Sequence, residues 1–150
     1  MKLEEELRTE KFKTEQQRAA LSILFTSSWI EVRMNECFKQ YGISQEQYNV
    51  LRILKGQKGK PANLSTVQER MIHRMSNATR LVEKLKLKGY VNRVPCEDNR
   101  RKVEITITDK GLVLLEQIDP RLAKAETDLF NNLTEQETQQ IGQLLDKLRH

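Results

Sequence analysis

At Tyr90 the hydrophobic period of the chain changes. Upstream, apolar residues recur three and four apart, as on one face of a helix. Downstream, Tyr90-Val91-Asn92-Arg93-Val94 and Val103-Glu104-Ile105-Thr106-Ile107-Thr108 are β-prone, and the second run alternates Val103, Ile105 and Ile107 with polar residues. Two strands forming a hairpin are implied, and beyond Thr108 the helical spacing returns. The chain is therefore expected to be mainly α with a small β-hairpin. With 37% hydrophobic and 31% charged residues but only 6 Gly and 3 Pro in 150 residues, the composition suits one helix-rich domain large enough to bury a core.

Between Glu4 and Gln40 there is no Gly or Pro, and Leu21, Leu24, Phe25, Trp29 and Val32 fall at helical spacing, which predicts one long helix. After Tyr41-Gly42, Ser44-Gln45-Glu46-Gln47 has the form of a capping box and opens a helix to about Lys55. Gln57 to Pro61 is rich in turn residues. Ser65-Thr66-Val67-Gln68 reads as a second capping box, starting a short helix to about Ile72. A further helix is predicted over Ser76 to Lys88. Ala78, Leu81, Val82 and Leu85 form one face, Ser76, Thr79, Arg80, Glu83 and Lys84 the other, and Gly89 stops it. Thr108 or Asp109 can cap the helix that carries Leu112, Leu115, Ile118 and Leu122, with a bend expected at Pro120. Thr134-Glu135-Gln136-Glu137 opens the last helix, expected to bury Ile141, Leu144, Leu145 and Leu148.

Several function classes find no support. The apolar runs are far shorter than the roughly 20 residues a bilayer span needs, and the acidic stretch Met1 to Arg8 lacks the apolar core of a signal peptide, so a cytoplasmic protein is expected. Cys37 and Cys96 are too far apart to form a redox or zinc motif and read as reduced, inert thiols. His73 and His150 make no metal-like spacing with cysteines or carboxylates, so neither a metal nor another cofactor is expected. No glycine-rich phosphate loop, nucleophile elbow or His-Glu-x-x-His segment is present, and an enzyme is not expected.

The net charge of +5 is unevenly spread. Lys60 to Lys110 holds 12 Lys and Arg against 6 Asp and Glu, or +6, while the remaining residues hold 14 against 15, or −1. A localised surplus is what a phosphate-facing surface needs, since neutralising phosphates releases condensed counterions. The order helix, short helix, turn, helix, basic hairpin describes a winged helix-turn-helix, whose second helix enters the major groove. Ser76, Asn77, Thr79, Arg80 and Lys84 would supply its front of short polar and basic side chains, with Ser65 at the start of the preceding helix. An amphipathic helix with a solvated polar face would look similar in isolation; the neighbouring hairpin favours the DNA reading. Arg100 and Arg101 at the hairpin tip fit insertion into a narrow minor groove, the competing role being a brace to Asp98 or a nearby carboxylate.

Leu64 to Val91, with Thr79-Arg80-Leu81-Val82-Glu83-Lys84-Leu85 and Lys88-Gly89-Tyr90-Val91, resembles the MarR-type regulators. Asn99-Arg100-Arg101 and Ile105-Thr106-Ile107-Thr108-Asp109-Lys110-Gly111 are similar to that family's Asp-Arg-Arg wing and the threonine-x-lysine-glycine that ends it. Asn99 stands where the family usually has Asp, and Arg74 where many members have a Ser or Asp helix cap. The resemblance covers about Leu21 to Leu148. It implies a single domain over 1–150, with a winged helix-turn-helix DNA-binding lobe at about 42–110 and a helical dimerisation region at about 4–41 and 111–150. It further implies a homodimer on a pseudo-palindromic operator of double-stranded DNA, most often as a repressor, released by a small anionic or aromatic effector.

Long terminal helices with wide apolar stripes also call for a partner surface on their own account. Phe25, Trp29, Arg33 and Met34 could line an effector pocket, although aromatic and Met residues at helical spacing more often belong to a core. The family's organic-peroxide sensors carry a cysteine near the positions of Leu21 and Ser22, where this chain has none. The rival readings are a winged-helix module that binds protein and a thiol-based redox regulator.

Overall fold

The computed structural model describes residues 1–150. Its elements run α1 (Leu3–Glu6), α2 (Glu15–Lys39), α3 (Gln45–Gly56), α4 (Leu64–Arg70), α5 (Ala78–Leu87), β1 (Val91–Pro95), β2 (Val103–Ile107), α6 (Asp109–Leu129) and α7 (Glu135–Leu148). The fold is mainly α with one hairpin, as the change of period implies. No helix is long and apolar enough to cross a membrane.

The expected single helix from Glu4 to Gln40 is instead broken. Residues 7–14 are irregular, Arg8 takes a positive φ of 51°, and α2 starts after Thr14, whose side chain accepts the Gln17 N–H at 3.1 Å. Gln17 Oε1 in turn accepts the Lys13 N–H at 2.8 Å. This reciprocal capping stops the helix running back towards Glu4, where no apolar stripe would reward its continuation. The one-turn α1 is tied to α2 by the 2.8 Å Glu4–Arg18 pair. The Arg18 guanidinium holds the Glu4 carboxyl below the usual carboxylate range.

The core gathers Val50, Leu51 and Leu54 of α3, Val67 of α4, Val82 and Leu85 of α5, Ile105 of β2, and Leu115 and Ile118 of α6. β1 and β2 pair antiparallel with Val91 opposite Ile107 and Pro95 opposite Val103. On the other edge of β2, Ala62 bridges to Ile105, with N–H to O distances of 2.9 and 2.8 Å in the two directions. That bridge holds the chain extended up to Asn63 (φ −95°, ψ 171°), so α4 starts there: Asn63, and not Ser65, is its cap, accepting the Thr66 N–H at 2.8 Å. The helix stops at Arg70, short of the expected Ile72.

α6 is capped by Thr108 and runs through Pro120. The predicted capping boxes at Ser44–Gln47 and Thr134–Glu137 are both formed. One expectation fails on α7, which buries none of its residues: Leu144 and Leu148 stay 66% and 68% exposed. Of its apolar stripe only Leu145 is half-buried within one chain, and Ile141, Leu144 and Leu148 stay exposed.

Candidate nucleic-acid interface

α5 begins later than its composition suggests. Its cap is Asn77, whose Oδ1 accepts the Arg80 N–H at 3.1 Å, and Ala78 is the first helical residue. The seven residues between α4 and α5 are held largely by side chains of other elements. Asn49 of α3 accepts the Ile72 N–H at 2.9 Å, and His73 lies 3.6 Å from Glu31 of α2. Gln68 of α4 donates to the Arg74 carbonyl at 2.7 Å and accepts the Ala78 N–H at 3.2 Å. Ala78, Val82 and Leu85 bury the inner face of α5, which leaves Asn77, Thr79, Arg80 and Lys84 exposed on the outer one. Ser76 is half-buried in the turn before the helix. Ser65 stands apart, in the first turn of α4, with its hydroxyl donated to Asn63 Oδ1 at 2.7 Å.

The C-terminal end of α5 is locked to the root of the hairpin. Gly89, at φ +79°, makes a left-handed stop in which its own N–H reaches Lys86 O at 2.9 Å and the Tyr90 N–H reaches Leu85 O at 3.0 Å. Thr108 donates its hydroxyl to Gly89 O at 2.7 Å while its oxygen caps α6 by accepting the Gly111 N–H at 3.1 Å. Lys110 donates to Lys88 O at 2.7 Å with its ammonium 5.0 Å from the Tyr90 ring centroid. Gly111 must be glycine here, since a Cβ would sit 2.4 Å from Tyr90 O. The Thr108-x-Lys110-Gly111 sequence is thus a staple between the two elements. A second brace crosses from Glu83 on α5 to Arg93 on β1, an ion contact at 2.9 Å that is off the hydrogen-bonding direction. No local spacing links Glu83 to Arg93, which is why reading the sequence overlooks this pair.

At the hairpin tip the Cys96 N–H bonds Lys102 O at 2.9 Å, and Asn99 closes the turn by accepting the Arg101 N–H on its side chain at 3.1 Å. An amide oxygen in place of the expected carboxylate still makes that bond. Arg100 and Arg101 are exposed and take part in none of the chain's eight ion pairs, so neither braces Asp98.

A cleft of about 470 Å³ lies where α2, α3 and α6 meet, lined by Met34, Phe38, Tyr48, Arg52, Ile72 and Asp119 among others. Tyr48 donates to Asp119 at 2.8 Å, and burial together with this bond pushes its phenol far above the usual range. Arg52 reaches the same carboxylate at 3.2 Å. Of the four aromatic, Met and Arg residues singled out on the first long helix, only Met34 faces this cleft. Phe25 and Trp29 lie against the N-terminal segment, outside the core, with the Arg33 guanidinium 3.7 Å over the Trp29 ring. Cys37 is half-buried, and burial pushes its thiol up.

Residues 43–103 match the sequence model of the MarR family. The HTH-type transcriptional regulator PecS of Dickeya dadantii is 26% identical over 121 residues, covering 79% of this chain and 72% of PecS. The HTH-type transcriptional regulator SarZ of Staphylococcus epidermidis is 29% identical over 125 residues, covering 81% of this chain and 80% of SarZ. Among solved structures, Sco3205, a MarR family transcriptional regulator from Streptomyces coelicolor in complex with DNA, superposes with a TM-score of 0.79 at 19% identity, covering 93% of this chain and 89% of that one. At that identity the superposition speaks for the fold. Together with the capped α5, its staple to the hairpin and the Asn-Arg-Arg tip, these matches make the winged lobe at residues 43–103 similar to the MarR family of regulators.

Proposed function

We propose that the chain is a transcription regulator that binds duplex DNA as a homodimer, most simply as a repressor. The observation that carries this reading is the pair of guanidinium groups outside any ion pair at the tip of a wing whose root is stapled to a helix with a short, polar and basic outer face. Folding gains nothing from two adjacent exposed arginines, whereas a narrow minor groove attracts them. On this reading Thr79, Arg80 and Lys84, with the free N–H₂ of Asn77, meet base edges and phosphates in the major groove. Ser65 and Ser76 contribute from the edges of the helix-turn-helix. The lobe spans about residues 42–110.

The dimer is supported by apolar side chains that one chain leaves uncovered at both ends. Leu24 and Val32 on α2 are 66% and 61% exposed, and α7 presents Leu144 and Leu148 in the same state. Apolar side chains left this exposed at helical spacing on two helices suit an interface. With α2, α6 and α7 forming the contact, two lobes would meet half-sites about one helical turn apart. The cleft beside α2 and α6 is the natural seat of a small effector, because Ile72 belongs both to its wall and to the turn that leads into α5.

In-vitro selection from a random duplex library tests the reading. Enrichment of a pseudo-palindrome with half-sites about 10 base pairs apart is expected. Failure of the wild-type protein to enrich any duplex at low salt overturns it.

A further inference from the structure

We propose that Gln68 is a positioning residue that fixes where the recognition helix α5 begins. By local sequence Gln68 belongs to a capping box with Ser65, but the Ala62–Ile105 bridge moves the start of α4 back to Asn63 and leaves the Gln68 carboxamide free of that duty. It spans the helix-turn-helix turn instead. Its Nε2 donates to Arg74 O at 2.7 Å, on the near side, and its Oε1 accepts the N–H of Ala78, the first residue of α5, at 3.2 Å.

The first N–H groups of a helix have no intrahelical partner. In α5 the Arg80 N–H goes to Asn77, within the same segment, so that bond defines the cap without locating it in space. The Ala78 N–H goes to a different helix. It is the hydrogen bond in the first turn of α5 that ties the start of that helix to the scaffold. Asn49 of α3 adds a third anchor upstream, at the Ile72 N–H. One side chain therefore decides where Asn77 and Arg80 stand relative to the groove, without itself being part of the exposed face.

The role in DNA recognition rests on the duplex-binding reading above, while the anchoring itself can be read without DNA. The full-length chain is compared with Gln68→Met, which keeps length and volume but neither bond, and with Gln68→Asn, which keeps the amide but is one methylene too short to reach both partners. Amide exchange followed by NMR without DNA should show the Ala78 N–H losing protection about tenfold while the Arg80 N–H keeps its own. Anisotropy is then measured with the duplex enriched by the wild-type protein and with a scrambled one. Affinity for the enriched duplex should fall about tenfold and affinity for the scrambled one less than twofold, because phosphate attraction survives a displaced helix and base contacts do not.

A loss shared equally by both duplexes would mean a merely structural role and would overturn the proposal, as would unchanged Ala78 exchange in both variants. If the wild-type protein enriches no duplex, the DNA reading falls, and the exchange data alone decide whether Gln68 holds the start of α5.

Discussion

Substituting Asn77 separates its observed duty, capping α5, from its proposed one, facing the groove. Asn77→Ala removes the acceptor of the 3.1 Å bond from the Arg80 N–H. An exposed amide can turn to water, so the loss should sit near the middle of the usual range for caps, about 1 kcal/mol. For a domain of this size that lowers Tm by about 2–4 °C. Asn77→Asp keeps the acceptor and places a negative charge at the helix N-terminus, worth about 0.3–1 kcal/mol at low ionic strength. It should melt at or slightly above wild type.

Binding should follow another order. The Ala variant loses the donor amide, and the Asp variant adds a charge that phosphates repel, so Asn binds best, Ala less and Asp least. Destabilisation alone cannot produce two orders that cross. The assay is a thermal melt by circular dichroism at fixed protein concentration, beside anisotropy with an enriched duplex. If the Asp variant binds best, the N-terminus of α5 does not face DNA. If the Ala variant melts as wild type does, the cap contributes nothing in solution.

Other consequences follow from single side chains. Gly111→Ala would put a methyl 2.4 Å from Tyr90 O and 2.7 Å from Ile107 Cγ1, and should lower stability by about 1–3 kcal/mol despite the better helix propensity of alanine; a melt at or above wild type would disprove the tight approach. If the wild-type chain forms the proposed dimer, Leu144→Glu combined with Leu148→Glu should give a monomer by light scattering at micromolar concentration; an unchanged dimer would remove α7 from the interface. The Glu137 carboxyl is held below its ordinary value of 4.5, first by the Thr134 N–H and then by the Thr134 hydroxyl. A depressed carboxyl contributes fully above its unfolded value and loses that contribution as pH falls through the folded one. The amides of the first turn of α7 should therefore lose protection, measured against their intrinsic exchange rates, as pH falls below about 4.5, and Glu137→Ala should remove this pH dependence. Acid fraying that persists in the variant would contradict it.

Much of the fold is legible because its signals are local. The hairpin announces itself by the alternation of Val103, Ile105 and Ile107, and the starts of α3 and α7 by capping boxes that need no tertiary help. The Gly89 stop is legible for the same reason. Elsewhere local signals compete and distant contacts choose between them. Asn63 and Ser65 are both good caps, and the bridge from Ala62 to Ile105 selects the first. Ser76 and Asn77 are equally plausible starts for α5, and the reach of Gln68 to the Ala78 N–H selects the second. The break before α2 contains no Gly or Pro, yet Thr14 and Gln17 spell a capping motif that an unbroken polar run disguises.

The site divides along the same line. Exposed residues named from composition, Thr79, Arg80, Lys84, Arg100 and Arg101, stand on the expected outer surfaces. The bonds that hold those surfaces together, Glu83 to Arg93 and Lys110 to Lys88, join elements whose proximity no local pattern reveals.

The central claim is that the stapled α5 and wing together grip duplex DNA, and a salt titration tests it most directly. Anisotropy with the enriched duplex is followed from about 50 to 200 mM salt for the wild-type chain, Arg100→Ala and Arg101→Ala, with thermal melts alongside. The account predicts steep weakening with salt, and a slope of log affinity against log salt smaller by about 0.9 for each phosphate that an arginine no longer neutralises, hence about twice that in a two-fold dimer. Melting should be unchanged, since both side chains are exposed and unpaired. Superimposable titrations for all three proteins, or arginine variants that bind as wild type but melt much lower, would contradict it.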